Sequence, residues 1–307
     1  MVPDVIVIGS LNLDHVITVE QLPQPGETIS GRGYVALPGG KGLNQAVSAS
    51  RQGAKVAMVG CVGDDAVGTL LLAVLAEEGI DASQVRTVAG MTSGTALITV
   101  ARGGANTIVV AAGTNGAIGV GDVQAAATKW GTGAFGAGTA VLTQLEIPLG
   151  PVQAGLSIAR ARGAVTVLNP APAPSALPRG LLELVDVLVP NETEALALSG
   201  ARTEESAARE LLAQGCGSVV VTLGERGALV ARPGRPSLAI APPTVEAVDT
   251  TAAGDAFCGA LAAALASGHD LVGAVRRGCA AGALAATVMG AVPSLPTAAE
   301  VDGALRR

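Results

Sequence analysis

Short runs of apolar, mostly β-branched residues recur along this chain of 307 residues, and they constrain its fold more than any other feature. Most are apolar at every position, which is typical of strands covered on both faces in a parallel sheet. They occupy residues 4–9, 55–60, 140–145, 164–169, 185–190 and 218–224. Helical patterns lie between them, at residues 42–53, 66–78, 149–162, 192–199 and 204–214. Strands that alternate with helices indicate βαβ units, so the sequence predicts a three-layer α/β/α body around a mostly parallel sheet.

Two regions break this alternation. Residues 16–36 alternate polar and apolar side chains around Pro and Gly, and residues 95–111 have the pattern of a hairpin with the turn RGGAN. Both are typical of half-exposed antiparallel strands set apart from the main sheet. We therefore expect a small β-sheet lid, with strands within about 14–36 and 95–111, on a single domain that spans residues 1–307. After Gly254 the pattern predicts two helices with no strand between them.

Composition and charge limit the partners of the chain. Its formal net charge of −6 and pI near 5.0, without a Lys/Arg cluster, argue against a nucleic-acid surface. The uncharged stretch 278–299 is rich in Ala and Gly and has prolines near its end, which predicts a buried helix and a loop instead of a membrane span. We expect neither a nucleic-acid nor a membrane partner.

The cysteines and the N-terminus indicate a cytoplasmic protein. The chain has 4 cysteines and no C-x-x-C pair, which fits reduced thiols that act as small apolar side chains. The opening MVPDVIVIGS has no basic region before its apolar run, so it predicts a first strand and not a signal peptide.

His15 and His269 have no partners at metal-ligand spacing, and no G-x-S-x-G nucleophile motif occurs, so the sequence predicts neither a histidine metal site nor a serine nucleophile.

The stretch GSLNLDH follows the first predicted strand, at the end of an α/β sheet where ligands bind. Asn12 and Asp14 are two positions apart, so in an extended chain they share a face. An amide beside a carboxylate can hold adjacent hydroxyl groups through paired hydrogen bonds. An ordinary polar turn explains the same residues equally well.

The stretch PGGKGLNQA combines glycines with the start of a helix. Gly39, Gly40 and Gly42 allow close backbone approach, although neither G-x-G-x-x-G nor G-x-x-x-x-G-K-[ST] is satisfied. Lys41 and Asn44 lie on one helical face and could donate to sugar oxygens. A plain glycine-rich loop is the alternative.

The stretch LVPNETEAL again joins a strand end to a helix. Asn191 and Glu194, at positions i and i+3, face the same side, and few carboxylates with substrate phosphates suit Mg²⁺. The same pattern is also a helix start that resembles a capping box, and both interpretations stay open.

In VTLGERGALV, the turn after Thr222 could contact nucleotide phosphates or be an ordinary tight turn.

The stretch DTTAAGDAF places Ala252, Ala253 and Gly254 at the start of a helix. Their small side chains leave the backbone N–H groups open, and with the helix dipole these groups form an anion site suited to a transferring phosphoryl group. Asp255 beside that site could act as a general base toward an attacking hydroxyl. A helix cap is the alternative for the same carboxylate.

In this order, GSLNLDH, PGGKGLNQA, NPAPA, PNETEA, TLGERG and DTTAAGDAF resemble the motifs of the ribokinase family of carbohydrate kinases. The resemblance covers nearly the whole chain, from Gly9 to about Ser294, and the D-T-x-A-A-G-D form is its most specific motif. It implies an α/β/α body with a β lid that often forms a homodimer interface. It also implies ATP-dependent phosphorylation of the O5 hydroxyl of D-ribose, with Mg²⁺ and a monovalent cation, usually K⁺.

The resemblance further implies roles for single residues. Asp255 matches the base, and the backbone of Ala252, Ala253 and Gly254 matches the anion hole. The sugar site is matched by Asn12, Asp14, Gly39, Gly40, Lys41, Asn44, Glu146 and Asp255. The ATP site is matched by Asn191, Thr222, Leu223, Gly224, Glu225, Arg226, Gly227, Gly254 and Cys279. The Mg²⁺ site is matched by Asn191 and Glu194, and the K⁺ site by Asp249, Thr251, Ala285, Val288, Gly290 and Ser294.

Two positions depart from the pattern, and three other functions are weighed against this one. Cys279 replaces an asparagine common near the adenine, and Leu13 replaces a smaller residue between the sugar-binding positions. A kinase of the same superfamily could act on fructose, 2-deoxyribose, 2-keto-3-deoxygluconate or a nucleoside. A non-catalytic sugar-binding regulator would be expected to lose the base or the anion hole, which this chain keeps. The missing G-x-G-x-x-G argues against a nicotinamide oxidoreductase.

Overall fold

A computed structural model describes residues 2–131 and 133–306. The strands in these residues are Val5–Ile8 (β1), Asn12–Val19 (β2), Gly33–Gly39 (β3), Val56–Gly63 (β4), Asp81–Val88 (β5), Gly94–Ala101 (β6), Asn106–Ala111 (β7), Ala140–Thr143 (β8), Val165–Leu168 (β9), Val187–Leu188 (β10), Ser218–Thr222 (β11), Ala228–Ala231 (β12) and Leu238–Ile240 (β13). The helices are Lys41–Arg51 (α1), Ala66–Glu77 (α2), Val120–Lys129 (α3), Leu149–Arg162 (α4), Glu192–Ser199 (α5), Glu204–Ala213 (α6), Ala253–Ala266 (α7), Leu271–Ala285 (α8) and Ala298–Leu305 (α9).

The larger sheet forms the centre of the molecule and has nine strands in the order β13-β12-β11-β10-β9-β8-β1-β4-β5. From β11 to β5 all neighbours are parallel, whereas β12 and β13 are antiparallel additions at one edge. Parallel strands place their carboxyl ends on one edge, where the loops that follow β1, β8, β10 and β11 meet. The α/β fold predicted from the apolar runs is confirmed.

Helices cover both faces of this sheet and enclose two apolar cores. Val5 and Val7 of β1 point into a core shared with α1, α2, α7, α8 and α9. Ile6 and Ile8 point into the opposite core, shared with α3, α4, α5 and α6. This alternation is the two-residue period of a strand, and burial on both faces explains why the run is apolar throughout.

The smaller sheet is the lid, with the strand order β3-β2-β6-β7. The pairs β2–β3 and β6–β7 are antiparallel, but β2 and β6 pair in parallel, from Asn12 opposite Gly94 to Val19 opposite Ala101. The prediction of purely antiparallel lid strands is therefore wrong. The chain passes through α1, β4, α2 and β5 between β3 and β6, and such a long crossover allows parallel pairing.

The structure also contains elements that the sequence patterns did not indicate. Strand β5 alternates exposed and half-buried residues at the sheet edge, and β10 spans only two of the six residues expected to be extended. The uncharged stretch 278–299 holds the buried end of α8, a loop and the start of α9. In the part of the chain that the structure describes, no helix combines the length and apolar character needed to cross a membrane.

Candidate active site

Asp255 lies in the first turn of α7, next to an open helix start. The helix begins after Ala252, whose left-handed φ of 59° turns the chain inward, and no side chain caps it. The Ala253 N–H donates to the Thr250 carbonyl at 3.2 Å. The N–H groups of Gly254 and Asp255 belong to the first turn and have no intrahelical acceptor, because a helix leaves its first donors unpaired. They are available to an anion.

The Asp255 carboxylate is held by α1 and does not cap its own helix. Asn44 Nδ2 donates to Asp255 Oδ2 at 2.9 Å, and Gln45 Nε2 donates to Oδ1 at 2.8 Å. Asp255 is buried, with 6% of its surface exposed. The helix-cap alternative needs the carboxylate to accept from the backbone of α7, so the observed hydrogen bonds do not support it.

The Asn44 amide was predicted to donate to a sugar, but in the structure it donates to Asp255. Its Nδ2 is used by Asp255, and its Oδ1 is buried without a hydrogen-bond partner among the described residues. A buried acceptor without a donor is costly, so this oxygen is free to accept from a hydroxyl group that enters the site. Its sugar-binding role stays a prediction.

Acidic side chains and one lysine surround Asp255. Burial, with the charges of Glu146 and Asp255, raises the pKa of Asp14 to about 7. Burial alone would lower the pKa of Lys41, but the carboxylates of Asp255, Glu146 and Glu194 raise it above its ordinary value. Lys41 is therefore a cation held among carboxylates, close to where a phosphoryl group would enter.

The sugar-site residues on β2 and β3 meet through close backbone approaches. Gly39 lies against the Asp14 carboxylate, where a side chain would overlap it, and Gly40 has a φ of 88° beside the Asn12 backbone. Asn115 Nδ2 donates to Asn12 Oδ1 at 2.7 Å, which turns the Asn12 amide nitrogen away from Asn115. Asn12 is thereby oriented as a donor.

Glu146 connects the loop after β8 to the start of α1. Its Oε2 accepts from Ser10 Oγ at 2.5 Å and from the Lys41 backbone N–H at 3.0 Å. These contacts fix the entry of α1 beside the end of β1. They place Glu146 with the other predicted sugar-site residues.

A cavity of about 210 Å³ lies at the start of α7. Lys41 and Asp255 of the predicted sugar site line it, whereas Asn12, Asp14, Gly39, Gly40, Asn44 and Glu146 do not. Its walls come from α1, the strand ends of β9, β10 and β11, α5 and the start of α7. They consist of Lys41, Asn169, Ala171, Val189, Asn191, Glu194, Thr222, Thr250, Ala252, Gly254, Asp255 and Cys258. The predicted base, anion site, lysine and metal-site residues thus face one space.

A second, larger cavity of about 810 Å³ adjoins it. The two share Thr222, Thr250 and Gly254. The larger cavity is lined by Thr222, Gly224, Glu225, Arg226, Gly227, Pro242, Pro243, Thr244, Val245, Ala247, Thr250, Ala253, Gly254, Phe257, Cys279, Gly282, Ala283 and Ala286. Most of the predicted ATP-site residues lie here, including Cys279, whose pKa burial raises to about 12. Leu223 is absent from the lining because its side chain packs on a core.

Asn191 and Glu194 form the capping box that the sequence allowed. Asn191 Oδ1 accepts from the Glu194 N–H, and Glu194 Oε2 accepts from the Asn191 N–H, both at 2.8 Å. Burial also raises the pKa of Glu194, although the Asn191 N–H and Lys41 act against it. No group of three or more His, Cys, Asp or Glu residues suited to a metal occurs in the described residues. A cation here would depend on phosphate and water, which suits Mg²⁺.

The predicted K⁺ residues lie on two segments that Asp249 connects. Asp249 Oδ1 accepts from Thr251 N and Oγ1, and Oδ2 accepts from Gly290 N at 2.8 Å. The Ala285 carbonyl accepts from Val288 N, and Ser294 Oγ donates to the Ala291 carbonyl. The loop after α8 is thereby fastened to the turn that precedes α7.

Several residues of the site were missed by sequence reasoning. Gln45 is adjacent to Asn44, and neighbouring positions on a helix do not share a face, so the spacing argument passed over it. Asn115 and the 242–245 loop lie in segments without a motif. Cys258, like the other three cysteines, is buried and free, as expected of a small apolar side chain.

Comparisons with known proteins agree with this geometry. A family model described as pfkB family carbohydrate kinase matches residues 2–298. The chain is 41% identical to the ribokinase of Haemophilus influenzae over 299 residues, which cover 96% of this chain and 95% of that protein. It is 38% identical to the ribokinase of Staphylococcus aureus over 309 residues, with 98% and 99% covered.

A solved structure shares the fold over its full length. The Arabidopsis thaliana ribokinase complexed with ribose and ATP matches with a TM-score of 0.89 and 31% sequence identity. The match covers 100% of both chains.

Proposed function

This chain belongs to the pfkB family of carbohydrate kinases, and we propose that it transfers the γ-phosphoryl group of ATP to the O5 hydroxyl of D-ribose. One observation carries the proposal: the Asp255 carboxylate and the open N–H groups of its own helix start face the same cavity. A base and an anion site in one wall are what a hydroxyl needs to attack a phosphorus atom.

The reaction is an in-line displacement. Asp255 takes the proton of the sugar hydroxyl, and the oxygen forms a bond to the γ-phosphorus. The bond between the γ-phosphorus and the β,γ-bridging oxygen breaks, and ADP leaves with that oxygen. The amides of Asn44 and Gln45 hold the carboxylate in place, and alignment of this kind is the main contribution a protein makes to phosphoryl transfer.

The phosphoryl group is bound by backbone and lysine. The N–H groups of Gly254 and Asp255 point from the helix start, where the dipole favours negative charge. The Lys41 ammonium, kept charged by its carboxylate neighbours, lies on the same cavity and can neutralise a γ-phosphate oxygen. The sugar hydroxyls are placed by Asn12, Asp14 and the backbone at Gly40.

ATP occupies the larger cavity in this proposal, with its phosphates toward Gly254 and its base among the apolar residues near Pro242 and Cys279. Glu194 and Asn191 would hold Mg²⁺ through water and phosphate oxygens. When bound, Mg²⁺ supplies positive charge for the β- and γ-phosphate oxygens.

A monovalent cation, K⁺, belongs to the same proposal. The Asp249 carboxylate fastens the 288–294 loop to the turn before α7, and the Asp249 backbone N–H donates to the Ala286 carbonyl at 3.1 Å, so the two segments lie side by side. A cation bound there would stabilise the geometry of the adjacent anion site without touching the substrate.

Both faces of the lid expose apolar residues, and the face that continues from the sugar site supports a homodimer. Residues opposite each other in the sheet share a face, so Val16, Val35, Ile98 and Ile108 form one row. The row containing Asp14 and Val110 lies on the same face, two positions away. Ile108 and Val110 are at least half exposed. An apolar face that continues from the sugar site suits a second copy of the chain.

One assay tests the function. ADP release is measured across D-ribose, 2-deoxyribose, fructose, 2-keto-3-deoxygluconate and nucleosides, with ATP and Mg²⁺ present. We expect the highest kcat/KM for D-ribose. A higher kcat/KM for another acceptor would show that this acceptor, and not D-ribose, is the preferred substrate. The absence of turnover with every acceptor would contradict the proposed kinase activity.

A further inference from the structure

A chain of buried amides leads from the core of the protein to the Asp255 carboxylate. Gln144 Nε2 donates to Gln45 Oε1 at 2.5 Å. Gln45 Nε2 donates to Asp255 Oδ1 at 2.8 Å and to Asn169 Oδ1 at 3.1 Å. Gln45 and Gln144 are both fully buried. No role in substrate binding requires these contacts.

The partners of Gln45 allow its amide only one orientation. Asn169 Nδ2 donates to the Val189 carbonyl at 2.8 Å, so Asn169 presents its oxygen to Gln45. A flipped Gln45 would place its own oxygen against two other oxygens, on Asn169 and Asp255. These two acceptors therefore fix the Gln45 NH₂ group toward Asp255.

From this geometry we propose that Gln45 is a positioning residue, which holds the Asp255 carboxylate in the orientation that faces the reacting hydroxyl. The inference rests on the proposed function. Gln45 presents a hydrogen-bond donor to one carboxylate oxygen, and Asn44 presents a donor to the other. With a donor on each oxygen, the carboxylate is held against rotation about its Cβ–Cγ bond.

Other charged groups also act on Asp255 and remain unchanged in the test below. Lys41 faces it from α1, Asp14 from β2 and Glu194 from α5. Glu146 accepts from the Lys41 backbone N–H, and the Cys258 thiol is on the same helix as Asp255. A change confined to Gln45 therefore isolates the amide.

The test compares Gln45→Met with the unaltered enzyme, on whichever sugar the unaltered enzyme phosphorylates fastest. Met keeps the length of the side chain and removes its donor. We expect kcat to fall by about 10- to 100-fold, the effect of one hydrogen bond to a charged group, with KM for the sugar nearly unchanged. A fall in kcat without a rise in KM is the signature of a misplaced base, because the sugar contacts are unchanged.

The matched control is Gln52→Met, just after the end of α1. Gln52 Nε2 donates to the Pro296 carbonyl at 2.9 Å, away from the site. This variant loses a half-buried glutamine hydrogen bond, and with it the acceptor of Arg277 Nη2 at 3.3 Å, so it reports the effect of removing a glutamine amide at the end of α1, outside the site. We expect its kcat and KM to match those of the unaltered enzyme.

Two results overturn the proposal. The first is a Gln45→Met kcat within two-fold of the unaltered enzyme. The second is a fall in kcat that Gln52→Met reproduces. If Gln45→Met does not fold, Gln45→Asn replaces it, because an amide one methylene shorter cannot keep its donor at the Asp255 carboxylate. A lower kcat with an unchanged KM then supports the proposal, and an unchanged kcat rejects it. An inactive unaltered enzyme would instead count against the proposed function.

Discussion

Gly259 of α7 lies against Ser48 of α1 so closely that a β-carbon at position 259 would overlap the Ser48 side chain and the Gln45 carbonyl oxygen. Ser48 Oγ also donates to the Ala256 carbonyl at 2.9 Å. One turn toward the N-terminus of α7, Asp255 meets Asn44 and Gln45 of α1. The absence of a side chain at position 259 thus sets the helix separation on which the base depends.

Gly259→Ala should separate α1 from α7. We expect a loss of about 1–3 kcal/mol in the free energy of unfolding, as for overpacking elsewhere, and a fall in kcat of up to about 100-fold from misplacement of Asp255. The control is Gly303→Ala in α9, where a β-carbon meets open space. Denaturant unfolding and steady-state kinetics would measure both. Equal stability and kcat in the two variants would contradict this role of Gly259.

Asp14 should make stability depend on pH. Its folded pKa of about 7 lies above its ordinary value of 3.8, so between these values the folded state binds more protons than the unfolded state. Stability contributed by the protonated group is present below about pH 4 and lost as the pH rises through 7. Asp14→Asn removes the burial of this charge and should raise Tm at pH 8 by about 2–4 °C. The same variant should raise KM for the sugar.

Scanning calorimetry at pH 5 and pH 8 tests whether Asp14→Asn raises Tm at the higher pH. Asp65 is the control, because hydrogen bonds from Ser93 and Gly68 hold its pKa below the ordinary value although burial opposes them. Asp65→Asn should therefore lower Tm at pH 8. A Tm of Asp14→Asn below that of the unaltered protein at pH 8 would show that Asp14 is not a destabilising charge.

The lid face should control assembly. Ile108→Glu places a charge on the face that we propose lies between two copies, so it should shift the protein from dimer to monomer in sedimentation experiments. Leu97→Glu is the matched control, because Leu97 is 58% exposed against 56% for Ile108 but lies on the opposite face. We expect this control to remain dimeric. The same oligomeric state in both variants would contradict the assignment of the dimer interface to the face that contains Ile108.

Activity should depend on the monovalent cation. Replacing K⁺ with tetramethylammonium at constant ionic strength should lower kcat/KM several-fold, because a cation near Asp249 stabilises the turn before α7. Ribose binding, measured by calorimetry in both salts, should change much less, because the predicted sugar residues lie on other segments. Identical rates in the two salts would contradict the proposed cation site.

The apolar runs predicted the body of the fold because parallel strands are buried on both faces, as β1 is. Strand β5 escaped prediction because one of its faces is exposed and its residues are mainly polar. The parallel β2–β6 pair was missed because local pattern reveals a strand and not its partner. The parallel pairing of β2 with β6 depends on the long connection through α1, β4, α2 and β5, which no local pattern describes.

The sequence predicted those residues of the site that lie within one short motif and missed those that only packing brings together. Asp255 and the anion site lie in one continuous motif, so the sequence placed them together. Gln45 acts on Asp255 from a distance of 210 positions, and only the packing of α1 on α7 brings them together. The loop at 242–245, which lines the nucleotide cavity, has no periodicity that could identify it.

The most direct test of the account is the turnover of Asp255→Asn with D-ribose and ATP, measured together with ribose binding by calorimetry. Asparagine keeps the shape and cannot take the proton, so kcat should fall by about 10²- to 10⁴-fold while ribose affinity changes little. A kcat within ten-fold of the unaltered enzyme, with ribose still bound, would show that another group takes the proton.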